Sequence, residues 1–246
     1  MTSTTLAPIR APAYWVYGVY AWTMFAALAL IALLGVILVP TLPARRAFAR
    51  RIARLVLQLL GMPLRVRGLE HLPPGPCVVV ANHASYLDGL VMKAALPARF
   101  SFVIKREMDR VPLAGLLLRR IGSEFVERFD RHKGASDARR LLRSAHGGES
   151  LVFFPEGTFS RRPGLLKFHT GAFAIAARAG TPVVPCVIRG TRHALPSNRL
   201  LPLWGPIEVE LLAPLPSCGD HGTDAQGLRD RARAAILARL GEPDLG

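Results

Sequence analysis

Lysine is scarce in this chain: of its 32 basic residues only Lys93, Lys105, Lys133 and Lys167 are not arginine. Acid is scarce too, and 17 Asp and Glu leave a formal charge of +15. Charge carried by arginine suits phosphates and anionic lipid headgroups, because the planar guanidinium grips two oxygens at once. Cys77, Cys186 and Cys218 stand far apart with no C-x-x-C, which argues against a disulfide framework or a zinc site and for a reducing compartment. His71, His83, His132, His146, His169, His193 and His221 are scattered, with no H-x-H or H-E-x-x-H. The usual metal-hydrolase signatures are therefore missing, and neither a metal nor another cofactor is expected. No G-x-S-x-G occurs, so the nucleophile elbow of a lipid-cleaving serine hydrolase is excluded. Aromatic residues are not interleaved with the basic ones, and no helix-turn-helix, zinc-finger or RNA-recognition signature is present. Nucleic acid is not the expected partner.

Charge is also absent from Ala11 to Ala44. Tyr14–Val39 would make a helix about 39 Å long against roughly 30 Å of bilayer hydrocarbon. That is too long for a signal-peptide core. Tyr14, Trp15, Tyr17, Tyr20 and Trp22 gather at its start like an interfacial belt, and Pro40 and Pro43 end it. Arg45, Arg46, Arg50, Arg51 and Arg54 come next, against Arg10 on the other side. The positive-inside rule then puts the C-terminal side of this helix in the cytoplasm, at the inner membrane. Residues 44–60 predict an amphipathic helix, with Phe48, Ile52, Leu55, Val56 and Leu59 opposite the arginines. Such a helix would lie among anionic headgroups, unless it is an ordinary surface helix. Membrane lipids are thus the first expected partner. The expected division is an anchor over residues 1–60 and one domain over residues 61–246.

After Gly61 short apolar runs alternate with helical stretches. Strands are expected at Leu64–Arg67, Cys77–Ala81, Phe100–Ile104, Glu124–Arg128, Leu151–Phe154, Val183–Ile188 and Ile207–Leu211. Helices are expected at Tyr86–Leu96, Val111–Ile121, Gly134–His146, Thr170–Ala179 and Leu228–Leu240, with Ser217–Gln226 as an exposed loop. The alternation implies an α/β domain with a mostly parallel central sheet and flanking helices.

Two strand ends carry candidate chemistry. After Val78-Val79-Val80-Ala81 comes Asn82-His83-Ala84-Ser85-Tyr86-Leu87-Asp88, a turn into a helix. Strand ends in open α/β sheets are where ligand sites form. Histidine is the side chain whose proton affinity lies nearest neutral pH, so His83 is the natural general base for an alcohol, and a carboxylate on its far nitrogen would fix the tautomer. Asp88 can be that carboxylate, or it can close a Ser85-x-x-Asp88 capping box and serve only the helix. The second strand end is Phe153-Phe154-Pro155-Glu156-Gly157-Thr158-Phe159-Ser160-Arg161-Arg162. It offers a carboxylate, hydroxyls and backbone N–H groups, or else a plain Pro-Gly turn.

Taken in order, these blocks resemble those of the glycerolipid acyltransferases. An N-H-x4-D block is matched at Asn82, His83 and Asp88. A G-x-x-F-[IV]-x-R block is matched at Gly122, Phe125, Val126 and Arg128. F-P-E-G-T-R-S is matched at Phe154 to Thr158 and at Ser160, and a V-P block at Val184 and Pro185. The resemblance covers about Leu64 to Leu211. It implies an O-acyltransferase that moves a fatty acyl group from acyl-CoA or acyl carrier protein to a lysophospholipid, 1-acyl-sn-glycerol 3-phosphate in the first instance. His83, held by Asp88, is implied to deprotonate the acceptor hydroxyl as it attacks the thioester, with no acyl-enzyme. Arg128 and Lys105 are implied as phosphate contacts, Glu156, Gly157 and Thr158 as shaping the acceptor site, and Val184-Pro185 as lining an acyl groove.

One position departs from the pattern. Phe159 stands where the family usually has arginine after the threonine. Either Arg161 or Arg162 takes over the phosphate contact, or the acceptor is another lysolipid such as a lyso-aminolipid. A rival from another class is a basic, membrane-tethered binder of anionic lipid without turnover.

Overall fold

The computed structural model describes residues 11–127, 131–217 and 224–246. Two helices come first, α1 (Ala11–Leu38) and α2 (Leu42–Leu59), followed by strands β1 (Leu64–Arg67) and β2 (Val78–Ala81). Next are α3 (Asp88–Ala95), β3 (Phe100–Lys105), α4 (Ala114–Arg120), β4 (Glu124–Val126), α5 (Arg131–His146) and β5 (Ser150–Phe153). The chain ends with α6 (Gly171–Ala179), β6 (Val183–Arg189), α7 (Thr191–Ala194), β7 (Ile207–Leu211) and α8 (Ala225–Leu240). One seven-stranded sheet runs in the order β1-β7-β6-β2-β5-β3-β4. β6, β2, β5, β3 and β4 are parallel, while β7 pairs antiparallel with β6 and carries β1 with it. The sheet is therefore mostly parallel, as the alternating pattern implied.

Alternation along β2 sorts the helices onto two faces. Val79 and Ala81 point into a core shared with α1, α2 and α3, while Val78 and Val80 point into one shared with α6 and α8. In β5, Val152 joins the first face, and Leu151 and Phe153 meet α5 on the second. β2 is buried on both faces, which is why its sequence is an unbroken apolar run.

Helix starts differ from the sequence expectation for local reasons. α3 begins at Asp88 rather than Tyr86, because side chains take the N–H groups of the preceding turn: Leu87 donates to Ser85 Oγ at 3.1 Å. α4 begins at Ala114 rather than Val111, after a tight turn at Pro112-Leu113. α8 begins at Ala225, since Asp224 caps it by accepting from the Gln226 and Gly227 N–H groups. Of the expected loop 217–226, residues 218–223 lie outside the described residues. α7 was not expected.

The arginines after α1 have a different role from the one the sequence suggested. Arg45 donates to Val39 and Pro40 carbonyls at the end of α1. Arg50 and Arg54 donate to Ala95 and Ala94 carbonyls at the end of α3. Arg46 is buried, bonded to Ile121 and Arg99 carbonyls and paired with Glu149 at 2.9 Å. Cationic donors at helix C-termini satisfy carbonyls that the helix leaves unpaired. Gly122 fits the same junction: its φ is +70°, and a Cβ there would meet Arg46 Nη2 at 2.9 Å. Four of the five arginines thus bind the protein itself, and Arg51 is exposed. The buried face of α2 is Ala49, Ala53, Val56 and Leu57, with Leu55 and Leu59 exposed.

α1 is long and apolar enough to cross a membrane, yet it runs along the protein. Near its start Tyr17 Oη donates to Leu60 O at 2.8 Å and Trp22 Nε1 to Leu200 O at 2.8 Å. At its other end Arg120 reaches Ile37 O, and Val36 packs with Ala49 and Ile121. The opposite face, including Val16, Val19, Leu30, Ile31, Leu34 and Leu38, is exposed.

Candidate active site

The carboxyl ends of β6, β2 and β5 lie side by side, so the segments that leave them converge. Asn82 ties the first two together. Its Nδ2 donates to Ile188 O at 3.0 Å, and its Oδ1 accepts from Ile188 N–H at 2.7 Å. This side chain imitates one more rung of the ladder and fixes the turn that carries His83.

His83 Nδ1 lies 2.7 Å from Asp88 Oδ2. The same oxygen accepts the Ala84 and Ser85 N–H groups at 2.6 and 2.9 Å. Ser85 Oγ donates to Leu195 O at 2.6 Å. Asp88 therefore closes the capping turn and holds the imidazole at once, so the two sequence readings are compatible. Its side chain is fully buried, whereas that of His83 is 20% exposed. With Nδ1–H donated to the carboxylate, Nε2 is left as the basic nitrogen. Phe154 stacks on the imidazole at 4.5 Å, and Phe159 meets it edge-on at 4.6 Å. Tyr86 packs on Phe159 at 4.8 Å.

Glu156 is 4% exposed and braces the backbone. Its Oε1 accepts the His83 N–H at 2.6 Å and its Oε2 the Leu166 N–H at 2.9 Å. Burial pushes its carboxyl up to about 7, against the pull of those two N–H donors; Asp88 adds to the rise and Arg192 opposes it. Gly157 has φ +72°, and its N–H donates to Phe154 O at 3.0 Å, closing the turn after β5. Glycine adopts that left-handed conformation without the cost a side chain would bring.

The other sequence candidates fall in different places. Thr158, Arg161 and Arg162 are exposed on the loop after Glu156, and Lys105 is exposed at the end of β3. Arg128 lies outside the described residues; the N–H of the preceding residue, Glu127, donates to buried Asp137 at 2.8 Å. Val184 is buried beneath the site in β6, and Pro185 pairs with Val80. Sequence reasoning missed Phe154, Phe159 and Tyr86 as the walls around His83. It also missed Arg192 of α7, whose Nη1 donates to Ser160 O at 2.8 Å and whose Nε donates to Glu242 Oε1 at 2.9 Å. Glu242 in turn accepts the Gly164 N–H at 2.7 Å. This pair clamps the 160–164 loop from two sides.

A base held by a buried carboxylate, at the end of a parallel strand and walled by aromatics, is suited to deprotonating a hydroxyl from an apolar substrate. Residues 63–189 match the family described as Acyltransferase. The chain is 33% identical over 202 residues to the chloroplastic 1-acyl-sn-glycerol-3-phosphate acyltransferase BAT2 of Brassica napus, a match covering 80% of this chain and 57% of that protein. The chain thus spans little more than half the length of that relative. It is also 33% identical over 199 residues to the lyso-ornithine lipid O-acyltransferase of Pseudomonas aeruginosa, covering 73% of each. The crystal structure of the 1-acyl-sn-glycerophosphate acyltransferase PlsC from Thermotoga maritima shares the fold, with a TM-score of 0.78 at 21% identity, over 92% of this chain and 94% of that one. The matched segment takes in His83, Asp88, Glu156 and all of β6, just over half of the sequence, and the chain belongs to the acyltransferase family.

Proposed function

We propose that this chain moves a fatty acyl group from a thioester donor, acyl-CoA or acyl carrier protein, onto the free hydroxyl of a lysolipid. 1-Acyl-sn-glycerol 3-phosphate is the first acceptor, with phosphatidic acid as product. The observation that carries this reading is the part-open His83 imidazole with Nδ1 bonded to buried Asp88. In the proposed mechanism Nε2 takes the hydroxyl proton as the oxygen attacks the thioester carbonyl, and Asp88 stabilises the imidazolium that forms. The tetrahedral intermediate collapses with loss of the thiolate, which leaves protonated by His83. Glu156 keeps the His83 backbone in place through both steps. Arg128, Lys105 and Arg161 are the proposed phosphate contacts, with Gly157 and Thr158 at the acceptor.

Phe159 supports a second reading, in which the acceptor has no phosphate monoester. It places an aromatic ring beside His83 where the family pattern has a guanidinium. The relative named for lyso-ornithine lipid makes a lyso-aminolipid the natural alternative. Release of free thiol from one acyl-CoA, measured with lysophosphatidate and lyso-ornithine lipid in parallel, separates the two. If Arg161 holds phosphate, Arg161→Ala should raise the KM for lysophosphatidate about tenfold or more and leave that for acyl-CoA unchanged. An unchanged lysophosphatidate KM would favour the second reading.

We place the protein on the cytoplasmic face of the inner membrane, docked on one leaflet. Contacts from Tyr17 to Ile37 hold α1 against the domain over about 30 Å. A crossing α1 would carry the arginines of α2 into hydrocarbon, at roughly 2.5–3.5 kcal/mol for each on an insertion scale.

A further inference from the structure

Leu113 is the one non-glycine residue with positive φ among the described residues, at φ 62° and ψ −48°. The Ala114 N–H donates to Pro112 O at 2.6 Å, so Leu113 sits at the centre of a γ-turn of the rare, strained hand. Close packing enforces that turn. A Cβ on Gly115 would lie 2.2 Å from Asp109 O, so α4 starts hard against the preceding 3-10 turn, Arg106–Arg110. Glycine would occupy position 113 without strain. The sequence has leucine there, and the residue is 64% exposed. A strained residue whose side chain points outward adds little to the core, so its purpose lies outside the chain.

The surroundings identify what that is. Val111 and Leu116 are exposed next to Leu113. By helical spacing Leu116 and Arg120 share one stripe of α4, Leu113 stands in the turn that leads into it, and Arg120 bonds Ile37 O at the end of α1. Leu34, Ile37 and Leu38 of α1 are exposed at that same end. The apolar surface of α1 therefore continues onto α4. Arg110 and Lys105 are exposed beside it, and the chain as a whole carries +15. We propose that Val111-Pro112-Leu113 and Leu116 form a second membrane contact, which inserts into an anionic leaflet beside α1 and fixes how the domain is tilted on it. The proposal rests on the reading that the exposed face of α1 meets lipid.

Spin labels on the full chain with Cys218→Ser test both statements separately. Cys77 and Cys186 are buried and should stay unlabelled. Labels are placed by Leu113→Cys, by Leu34→Cys on α1 and by Arg139→Cys, which is exposed on α5 on the other side of the sheet. In vesicles of phosphatidylglycerol and phosphatidylethanolamine, the labels at 113 and 34 should be open to oxygen and shielded from an aqueous nickel reagent. The label at 139 should behave in the opposite way. A label at 113 as aqueous as that at 139, with 34 shielded, overturns the second contact and leaves the membrane reading standing. Labels at 34 and 113 both aqueous overturn the two together. Leu113→Gly supplies an independent check. It should melt no lower than the parent yet partition into the same vesicles about tenfold less well. Unchanged partitioning would mean that Leu113 is only a turn residue.

Discussion

His83 and Asp88 were legible in the sequence because their contact is local: five residues span a strand end and the first turn of a helix. The role of Glu156 was not, since its partners are backbone N–H groups at His83 and Leu166, 73 and 10 residues away. A carboxylate in a Pro-Glu-Gly-Thr turn reads as a ligand for substrate, whereas the fold turns it inward as a brace. Its raised carboxyl makes a prediction with a definite sign. The folded state binds the proton more tightly than the unfolded chain does, so the linked stability is fully present below about 4.5 and is lost as pH rises through about 7. The shift from 4.5 to about 7 corresponds to roughly 3 kcal/mol. Glu156→Gln removes that titration, so the stability of wild type minus that of the variant should fall by about this amount between pH 5 and 8 in denaturant melts. A difference that stays flat across that range would mean Glu156 does not titrate there.

The elements were legible wherever period and length agreed, and the seven strands lie within a few residues of their expected places. What periodicity does not encode is which side chains meet across the fold. Arg46, Arg50 and Arg54 read as a headgroup-facing stripe because their carbonyl partners belong to α3 and to the turn after α4, far along the chain. The short α7 escaped for the same reason, since its role rests on Arg192 meeting Glu242, 50 residues on. That pair predicts a long-range effect on the site. Glu242→Ala should free Arg192 and the Gly164 N–H together and loosen the loop that continues from Glu156. Removing a hydrogen-bonded charge partner costs about 1.5–3 kcal/mol, so turnover should fall roughly tenfold with little change in the KM for acyl-CoA. Glu242→Gln keeps an acceptor for the Gly164 N–H and should recover part of the loss. Equal turnover in all three proteins would remove the clamp from the account.

At the scale of the molecule, one sheet carries two different surfaces. On one side α5, α6 and α8 pack onto the sheet, and on the other α1 presents an apolar helix held lengthwise against the protein. The sequence identified that helix as apolar and long but could not tell a crossing helix from one that lies along the domain, because composition is the same in both. The contacts of Tyr17, Trp22 and Ile37 favour the second. An N-terminal tag should therefore be digested by protease from the same side of a sealed vesicle as the domain, and protection of the tag alone would require a crossing. On the proposed function, the fold positions one imidazole to act on a lysolipid hydroxyl. The most direct test of that claim is thiol release from acyl-CoA by vesicle-bound protein with a lysolipid acceptor, comparing wild type with His83→Ala. Loss of the positioned base should lower the rate by about 10²–10⁴ with vesicle binding and melting temperature unchanged. Near-wild-type turnover in His83→Ala would contradict the account.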